Sequence, residues 1–220
     1  MVDQENQQYD VIVVGAGMVG ASFACLFART NPELQVALIE AQESSTYNPE
    51  TFDPRVAALT EKSRSLLHRC GAWGKISEQR ISLYLAMDVW DAEGTGRIKF
   101  DCRDVHQSSL GHIVENSLVV DSLLSQVAEL DNIEFICPVT VASYCRSEER
   151  VQLQLADGRG LWAPLLVAAD GGNSTIRHQF NFTTREWDYG HSAIVTTVQT
   201  EHFNQQTAWQ RFMSTGPLAL

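Results

Sequence analysis

The chain has 220 residues, enough for one large domain or for a domain and part of a second. Its formal net charge of −11, without a basic cluster, argues against nucleic acid as a partner and against electrostatic docking on an anionic membrane. The five cysteines include no C-x-x-C pair, so we expect reduced thiols in a cytoplasmic protein rather than a metal site or a disulfide framework.

A strand, a glycine-rich turn and a helix open the chain. The apolar run 11–14 predicts a strand buried on both faces, and the small and apolar residues 18–29 predict a helix. Residues 11–28 carry no charge, but the glycines among them argue against a membrane span. Between strand and helix the turn has the spacing G-x-G-x-x-G, formed by Gly15, Ala16, Gly17, Met18, Val19 and Gly20.

Each part of this turn has a physical role in binding a dinucleotide. Gly15 allows a sharp turn, Gly17 lets backbone amides approach a pyrophosphate, and Gly20 lets the helix pack closely on the strand. A second apolar strand over 34–39 ends at Glu40, whose carboxylate can accept hydrogen bonds from ribose hydroxyls and would repel a 2′-phosphate. The pattern therefore predicts a bound nucleotide other than NADP.

The next segments predict a loop and then a helix. Residues 41–54 are polar and include two prolines, and Arg55 at their end is either a phosphate or ribose ligand or a solvated loop residue. Thr60 is a candidate N-cap for a helix that ends at Gly71.

Alternating and apolar runs predict most of the remaining elements. A helix from about 118 to 130 has Asn116 or Ser117 as its candidate cap. The segments that read as strands are 83–90, 97–100, 133–136, 193–198 and 207–213, with 139–144, 151–155 and 161–168 as a three-stranded antiparallel meander.

A second glycine turn follows the last strand of the meander. Asp170 and Gly171 follow an apolar strand, and Asn173 or Ser174 can cap the helix that comes next. Asp170 would repel a bare phosphate, so we expect it to accept from a hydroxyl group or from a bridging water. We predict that both glycine turns converge at the carboxyl edge of one parallel sheet.

These segments resemble the FAD-dependent aromatic hydroxylases of the p-hydroxybenzoate hydroxylase type, and among them the ubiquinone-biosynthesis hydroxylases, in particular those acting on a polyprenylphenol. The resemblance is carried by VIVVGAGMVGASFA, DPRVAALTEKSRSLL, LGHIVEN, LVAADGGNSTIR and WDYGHSAIV. It implies an α/β fold: a Rossmann-like FAD-binding domain with a parallel central sheet and the meander, plus part of an antiparallel β-rich substrate domain. Residues 1–80 and 111–182 would form the FAD-binding domain, 81–110 substrate-domain strands, and 183–220 the start of the substrate-domain sheet.

The resemblance also implies roles for individual residues. Residues 15–18 and Gly20 would hold the FAD pyrophosphate and Glu40 the adenosine ribose. Arg55 would lie beside the phosphate or ribityl region and Asn116 near the ribityl chain. The motif Asp170-Gly171 would serve both FAD and the pyrophosphate of NAD(P)H.

The implied reaction is hydroxylation of a polyprenylphenol or polyprenyl-quinol ring with NAD(P)H and O₂, through a flavin hydroperoxide. No metal is expected and the catalytic residues stay unassigned, with His191 and Tyr189 as candidates for a base by position alone. The substrate is the expected partner, together with other ubiquinone-biosynthesis proteins, and contact with the inner face of the membrane is left open.

One motif of the family is missing from this sequence. Relatives carry Gly-Asp before Ala-Ala-His to bind the ribityl chain, and the 220 residues contain no such segment. We therefore expect a truncated chain that binds FAD weakly or not at all. The alternatives are another FAD-dependent oxidoreductase on the same fold and a fragment with only an assembly role.

Overall fold

Residues 7–43 and 46–220, which the computed structural model describes, contain five α-helices, one 3-10 helix and fifteen strands. The helices are α1 (Met18–Thr30), α2 (Glu61–Cys70), α3 (Trp73–Ser77), α4 (Asn116–Val127) and α5 (Thr175–Gln179), and the 3-10 helix is Cys102–Val105. The strands are β1 (Gln7–Gln8), β2 (Val11–Val14), β3 (Val36–Ile39), β4 (Val56–Thr60), β5 (Ile81–Tyr84), β6 (Ala86–Asp91), β7 (Arg97–Asp101), β8 (Gly111–Glu115), β9 (Ile133–Ile136), β10 (Val141–Arg146), β11 (Val151–Leu155), β12 (Gly160–Ala163), β13 (Leu165–Ala168), β14 (Thr207–Met213) and β15 (Gly216–Ala219).

A four-stranded parallel sheet in the order β13-β2-β3-β9 forms the centre of the fold. One face packs against α1 and α4, and the other packs against the meander strands β11 and β12. Because both faces are covered, β2 and β3 are buried along their whole length, which is why they read as unbroken apolar runs. The predicted α/β class with a parallel central sheet is confirmed.

The meander consists of β10, β11 and β12 in antiparallel order, with β1 added in parallel at its edge. The predicted third strand over 161–168 is wrong in one respect, because the run divides at Pro164. The part before the proline completes the meander, and the part after it joins the central sheet. Pro164 has no backbone N–H, so it cannot continue a hydrogen-bonded ladder and suits a change of sheet.

A third sheet, in the order β4-β8-β5, lies beside the start of α4. The sequence indicated no strand at 56–60, and these residues become one because they pair antiparallel with β8 from Val56 opposite Glu115 to Thr60 opposite Gly111. Helix α4 begins at Asn116, two residues earlier than predicted. Neither predicted residue caps it; instead the carboxylate of Asp53 accepts a hydrogen bond of 3.2 Å from the Ser117 amide.

The fourth sheet, in the order β15-β14-β6-β7, brings residues 86–101 together with residues 207–219. The strand predicted at 193–198 is wrong: these residues pair with no strand in the described part of the chain, and Ile194 is 92% exposed. An apolar alternating run becomes a strand only when a neighbour completes its backbone hydrogen bonds. The division of the chain into domains at residues 80, 110 and 182 stays a prediction.

Within residues 7–43 and 46–220, no helix combines the length and apolar character needed to cross a bilayer.

Candidate functional site

The two glycine turns meet at the carboxyl edge of the central sheet. Strands β2 and β13 are adjacent and in register, with Val14 opposite Ala168, so each turn leaves the sheet at the same level. A Cβ atom on Gly15 would lie 2.3 Å from the Ala169 carbonyl oxygen, and Gly15 has a φ of +98°. Only glycine tolerates both conditions, so the close contact between the two turns requires a glycine at position 15.

The other two glycines of the motif differ in what surrounds them. A Cβ atom on Gly20 would lie 1.9 Å from the Gly15 carbonyl oxygen, so this glycine is required by packing within the turn. A Cβ atom on Gly17 would meet no described atom within 4 Å. Gly17 therefore borders open space.

Gly17 is also the N-cap residue of α1. Among the described residues no side chain caps this helix end, and its first turn holds no acidic residue. The unpaired amides and the helix dipole favour an anion at this position.

Glu40 lies next to this helix end, directly after β3. Its Oε2 atom accepts a hydrogen bond of 2.7 Å from the Ala16 amide, and its Oε1 atom accepts one of 3.1 Å from the Gln42 amide. The sequence placed Glu40 at a strand end, and the structure brings its carboxylate into contact with the glycine turn.

Two cavities flank Gly17 and Glu40, which line both of them. The first has a volume of about 470 Å³ and combines both glycine turns with apolar side chains of the meander region. Its other lining residues that matter here are Val139, Val141, Tyr144, Asp170, Gly171 and Thr175.

The second cavity has a volume of about 400 Å³ and lies on the α4 side of Gly17. Met18, Arg55 and Asn116 line it together with Gly17 and Glu40. The Arg55 side chain is 74% exposed, and its nearest acidic partner is Asp53, 3.6 Å from Nε to Oδ1. The structure thus brings Ala16, Gly17 and Met18 of the first turn together with Arg55 and Asn116 at one cavity. Gly15 lines only the first cavity, and Gly20 lines neither.

Asp170 has a role that the sequence did not predict. Its Oδ2 atom accepts hydrogen bonds from the Thr175 amide at 2.9 Å and the Ile176 amide at 3.5 Å, so it helps Ser174 to cap α5. Its Oδ1 atom is buried and has no hydrogen-bond partner in the described structure. One carboxylate oxygen beside the first cavity is therefore free to accept from a hydroxyl group or a water.

Sequence reasoning also missed Asp53, whose carboxylate fixes the backbone at Arg55 through hydrogen bonds. Its carboxylate accepts from the Arg55 amide at 2.9 Å and from the Ser117 amide at 3.2 Å. Burial acts to raise the pKa of Asp53, but these hydrogen bonds outweigh it and place the pKa below its ordinary value. The signal was present in the sequence as Asp-Pro-Arg, since an Asp side chain commonly accepts from the amide two residues later.

The two candidate bases lie outside these cavities. His191 and Tyr189 are exposed, belong to the irregular segment after α5 and line neither cavity. Across the described residues, no group of three or more His, Cys, Asp or Glu side chains is arranged to hold a metal ion.

Several known proteins are similar to most of this chain. The profile of the FAD binding domain family matches residues 8–215. The mitochondrial ubiquinone biosynthesis monooxygenases COQ6 of Xenopus tropicalis and Homo sapiens are 37% and 33% identical over 96% of this chain, which spans 48% of each. The 3-demethoxyubiquinol 3-hydroxylase of Escherichia coli is 28% identical over 97% of this chain and 54% of its own length.

Two solved structures show the same fold. PqsL of Pseudomonas aeruginosa gives a TM-score of 0.68 at 18% identity, over 83% of this chain and 48% of that chain. The p-nitrophenol 4-monooxygenase PnpA of Pseudomonas putida gives a TM-score of 0.65 at 20% identity, over 80% of this chain and 45% of that chain. The chain spans about half the length of the curated relatives that it matches. With the family profile covering nearly all of its residues, the chain belongs to the FAD binding domain family.

Proposed function

We propose that the chain binds FAD across Gly17, with the dinucleotide extending from the first cavity into the second. The pyrophosphate lies at the uncapped start of α1, and Glu40 accepts from the adenosine ribose hydroxyls. The apolar walls at Val139 and Val141 suit the adenine ring. Support comes from a single observation: both glycine turns open onto cavities that share Gly17 and Glu40.

The remaining polar groups of the site fit the same ligand. Arg55 carries a fixed positive charge at the second cavity, where it can pair with phosphate oxygens. Asn116 has a buried Oδ1 atom with no partner among the described residues, which can accept from a ribityl hydroxyl. The free Oδ1 atom of Asp170 serves a further hydroxyl or a water.

We infer that the whole protein is an aromatic-ring hydroxylase of ubiquinone biosynthesis acting on a polyprenylphenol or polyprenyl-quinol ring. The relatives support this assignment by name, since they include ubiquinone biosynthesis monooxygenases and a 3-demethoxyubiquinol 3-hydroxylase. FAD, when bound, supplies the redox and oxygen-transfer chemistry, with NAD(P)H and O₂ as co-substrates. The residues of this chain hold the dinucleotide, orient it and exclude water around it.

The site also supports a choice between nucleotides. The Glu40 carboxylate would repel a 2′-phosphate on the adenosine, so the resident dinucleotide is FAD and not NADP. Because the COQ6 relatives are mitochondrial by name and a polyprenyl substrate is lipid-soluble, we place the protein at a membrane surface.

Titration of the chain into FAD, followed by flavin fluorescence, tests the first part of this proposal. Saturable quenching is expected, and its absence would favour the alternative of a fragment with only an assembly role. Incubation with FAD, NADH or NADPH, ¹⁸O₂ and short-chain polyprenylphenols tests the second part. Mass spectrometry should find one ¹⁸O atom on the ring, whereas NAD(P)H oxidation without ring oxygenation would favour another FAD-dependent oxidoreductase.

A further inference from the structure

The segment that carries Arg55 into the second cavity is irregular. Residues 46–55 form neither helix nor strand, although Arg55 immediately precedes β4. A segment of this kind keeps one conformation only if its backbone groups find partners elsewhere in the fold. The side chain of Arg80, just before β5, provides several of those partners.

Arg80 contacts the segment at three successive points. Its Nη1 atom donates to the Pro49 carbonyl at 2.8 Å, and its Nη2 atom donates to the Thr51 carbonyl at 2.5 Å. Its guanidinium lies 4.0 Å from the centroid of the Phe52 ring. The planar, forked guanidinium is the side chain best suited to bind two carbonyls and stack on a ring at once.

Glu115 holds Arg80 in this position. Its side chain is only 6% exposed, and the Arg80 Nη2 atom lies 2.9 Å from both of its carboxylate oxygens. The Oε1 atom of Glu115 also accepts a hydrogen bond of 2.7 Å from the Asp53 amide. Both oxygens of this buried carboxylate are therefore contacted by hydrogen-bond donors.

The chain of contacts continues from Asp53 to the two residues that border the second cavity. The Asp53 carboxylate accepts from the amides of Arg55 and Ser117, and the Asn116 amide donates to the Arg55 carbonyl at 2.9 Å. Arg80 and Glu115 are therefore joined through backbone and carboxylate contacts to both Arg55 and the start of α4. Arg80 itself does not line the second cavity.

We propose that Arg80 and Glu115 form a positioning pair, which holds residues 46–55 in the conformation that presents Arg55 to the phosphates of bound FAD. The proposal rests on the proposed function, since it concerns the same site. It assigns to Arg80 an effect on affinity that acts through Arg55.

A double-mutant cycle with Arg80→Lys and Arg55→Ala tests this assignment. Lysine keeps the charge beside Glu115 but cannot bind both carbonyls and stack on Phe52. We expect Arg80→Lys to raise the Kd for FAD about two- to tenfold, the effect of one net hydrogen bond, when Arg55 is present. In the Arg55→Ala background it should have no further effect. An equal effect of Arg80→Lys in both backgrounds would overturn the proposal, because the role of Arg80 would then be merely structural.

The matched control is Arg97→Lys. Arg97 also makes two hydrogen bonds to one buried carboxylate, that of Asp88, and also packs over an aromatic ring, that of Trp90. It belongs to the sheet of β6 and β7, and neither cavity contains it. Its substitution should leave the Kd for FAD unchanged.

Hydrogen exchange in the free protein gives a readout that does not depend on FAD. Arg80→Lys should increase amide exchange in residues 46–55 and leave β2 unchanged, and unchanged exchange in 46–55 would overturn the proposal. If the wild-type chain had no affinity for FAD, the proposed function would fail, and exchange alone would decide whether the pair holds the segment. If Arg80→Lys fails to fold, Glu115→Gln replaces it, since glutamine can still accept from the Asp53 amide.

Discussion

Substitution of Gly17 by valine separates ligand binding from folding at the first glycine turn. Gly17 has φ −65° and ψ −177°, an extended conformation open to any residue, and a Cβ atom there would meet no described atom within 4 Å. The free protein therefore has room for the valine side chain. In the proposed site the phosphates of FAD occupy that same space, so the loss should fall on binding alone.

The magnitudes of the two effects differ widely. Valine is a poorer N-cap residue than glycine, but replacing glycine also restricts the unfolded chain, and these opposing effects leave stability changed by about 1 kcal/mol or less. Loss of two charge-assisted hydrogen bonds from backbone amides to the pyrophosphate, each worth about 1.5–3 kcal/mol, would weaken FAD binding more than about 100-fold.

Two measurements on each variant test this expectation. Urea unfolding of the free protein gives stability, and quenching of flavin fluorescence gives the Kd for FAD. Gly20→Val is the contrasting control, because its Cβ atom would lie 1.9 Å from the Gly15 carbonyl oxygen and must disturb the turn itself. A Gly17→Val protein that binds FAD as tightly as wild type would refute the placement of the pyrophosphate at this turn.

Three further predictions concern nucleotide choice, pH and helix capping. When ADP and adenosine 2′,5′-bisphosphate compete with FAD for the site, Glu40→Gln should reduce the preference for ADP, because the repulsion of the 2′-phosphate is removed. An unchanged preference would contradict the role proposed for Glu40. Burial lowers the pKa of His112 below its ordinary value of 6.5, so the unfolded chain binds a proton more tightly than the folded protein does. The contribution of His112 to the free energy of unfolding is therefore fully present above pH 6.5 and is lost as the pH falls below it. Urea unfolding at pH 7.5 and 5.5 should show a smaller loss for His112→Gln than for wild type, while the exposed His68→Gln should behave as wild type. Thr60→Ala should lower the free energy of unfolding by about 1 kcal/mol, because the side-chain cap of α2 is lost. The control Thr30→Ala, at an exposed position, should change it by about 0.5 kcal/mol or less. Equal losses in the two variants would contradict the capping role of Thr60.

Local chemistry made much of the fold predictable. The strand, turn and helix around Gly15 follow from a change of hydrophobic period at a glycine motif, a signal carried by neighbouring residues of the sequence. Helix α2 begins after Thr60 and ends at Gly71, as predicted, because a cap hydroxyl and a left-handed glycine act within one turn. The meander strand Val151–Leu155 was recognisable from its alternation alone.

The predicted binding residues became a site only when distant parts of the chain met. Gly17 and Asp170 are separated by more than 150 residues, and they line one cavity because β2 and β13 are neighbours in the central sheet. The two turns were identified from sequence, but the presence of two cavities sharing Glu40 required the structure.

By itself, the sequence determined the local units: the two glycine turns, the acid that ends β3, the capped helix α2 and the alternation of the meander. Tertiary structure decided which runs became strands, since 56–60 found a partner in β8 and 193–198 pairs with no described strand. It also decided what caps α4, because the carboxylate of Asp53 reaches Ser117 from 64 residues away. The physical reason is that caps and turns are satisfied within a few residues, whereas a strand or a distant cap depends on groups that only the folded chain brings together.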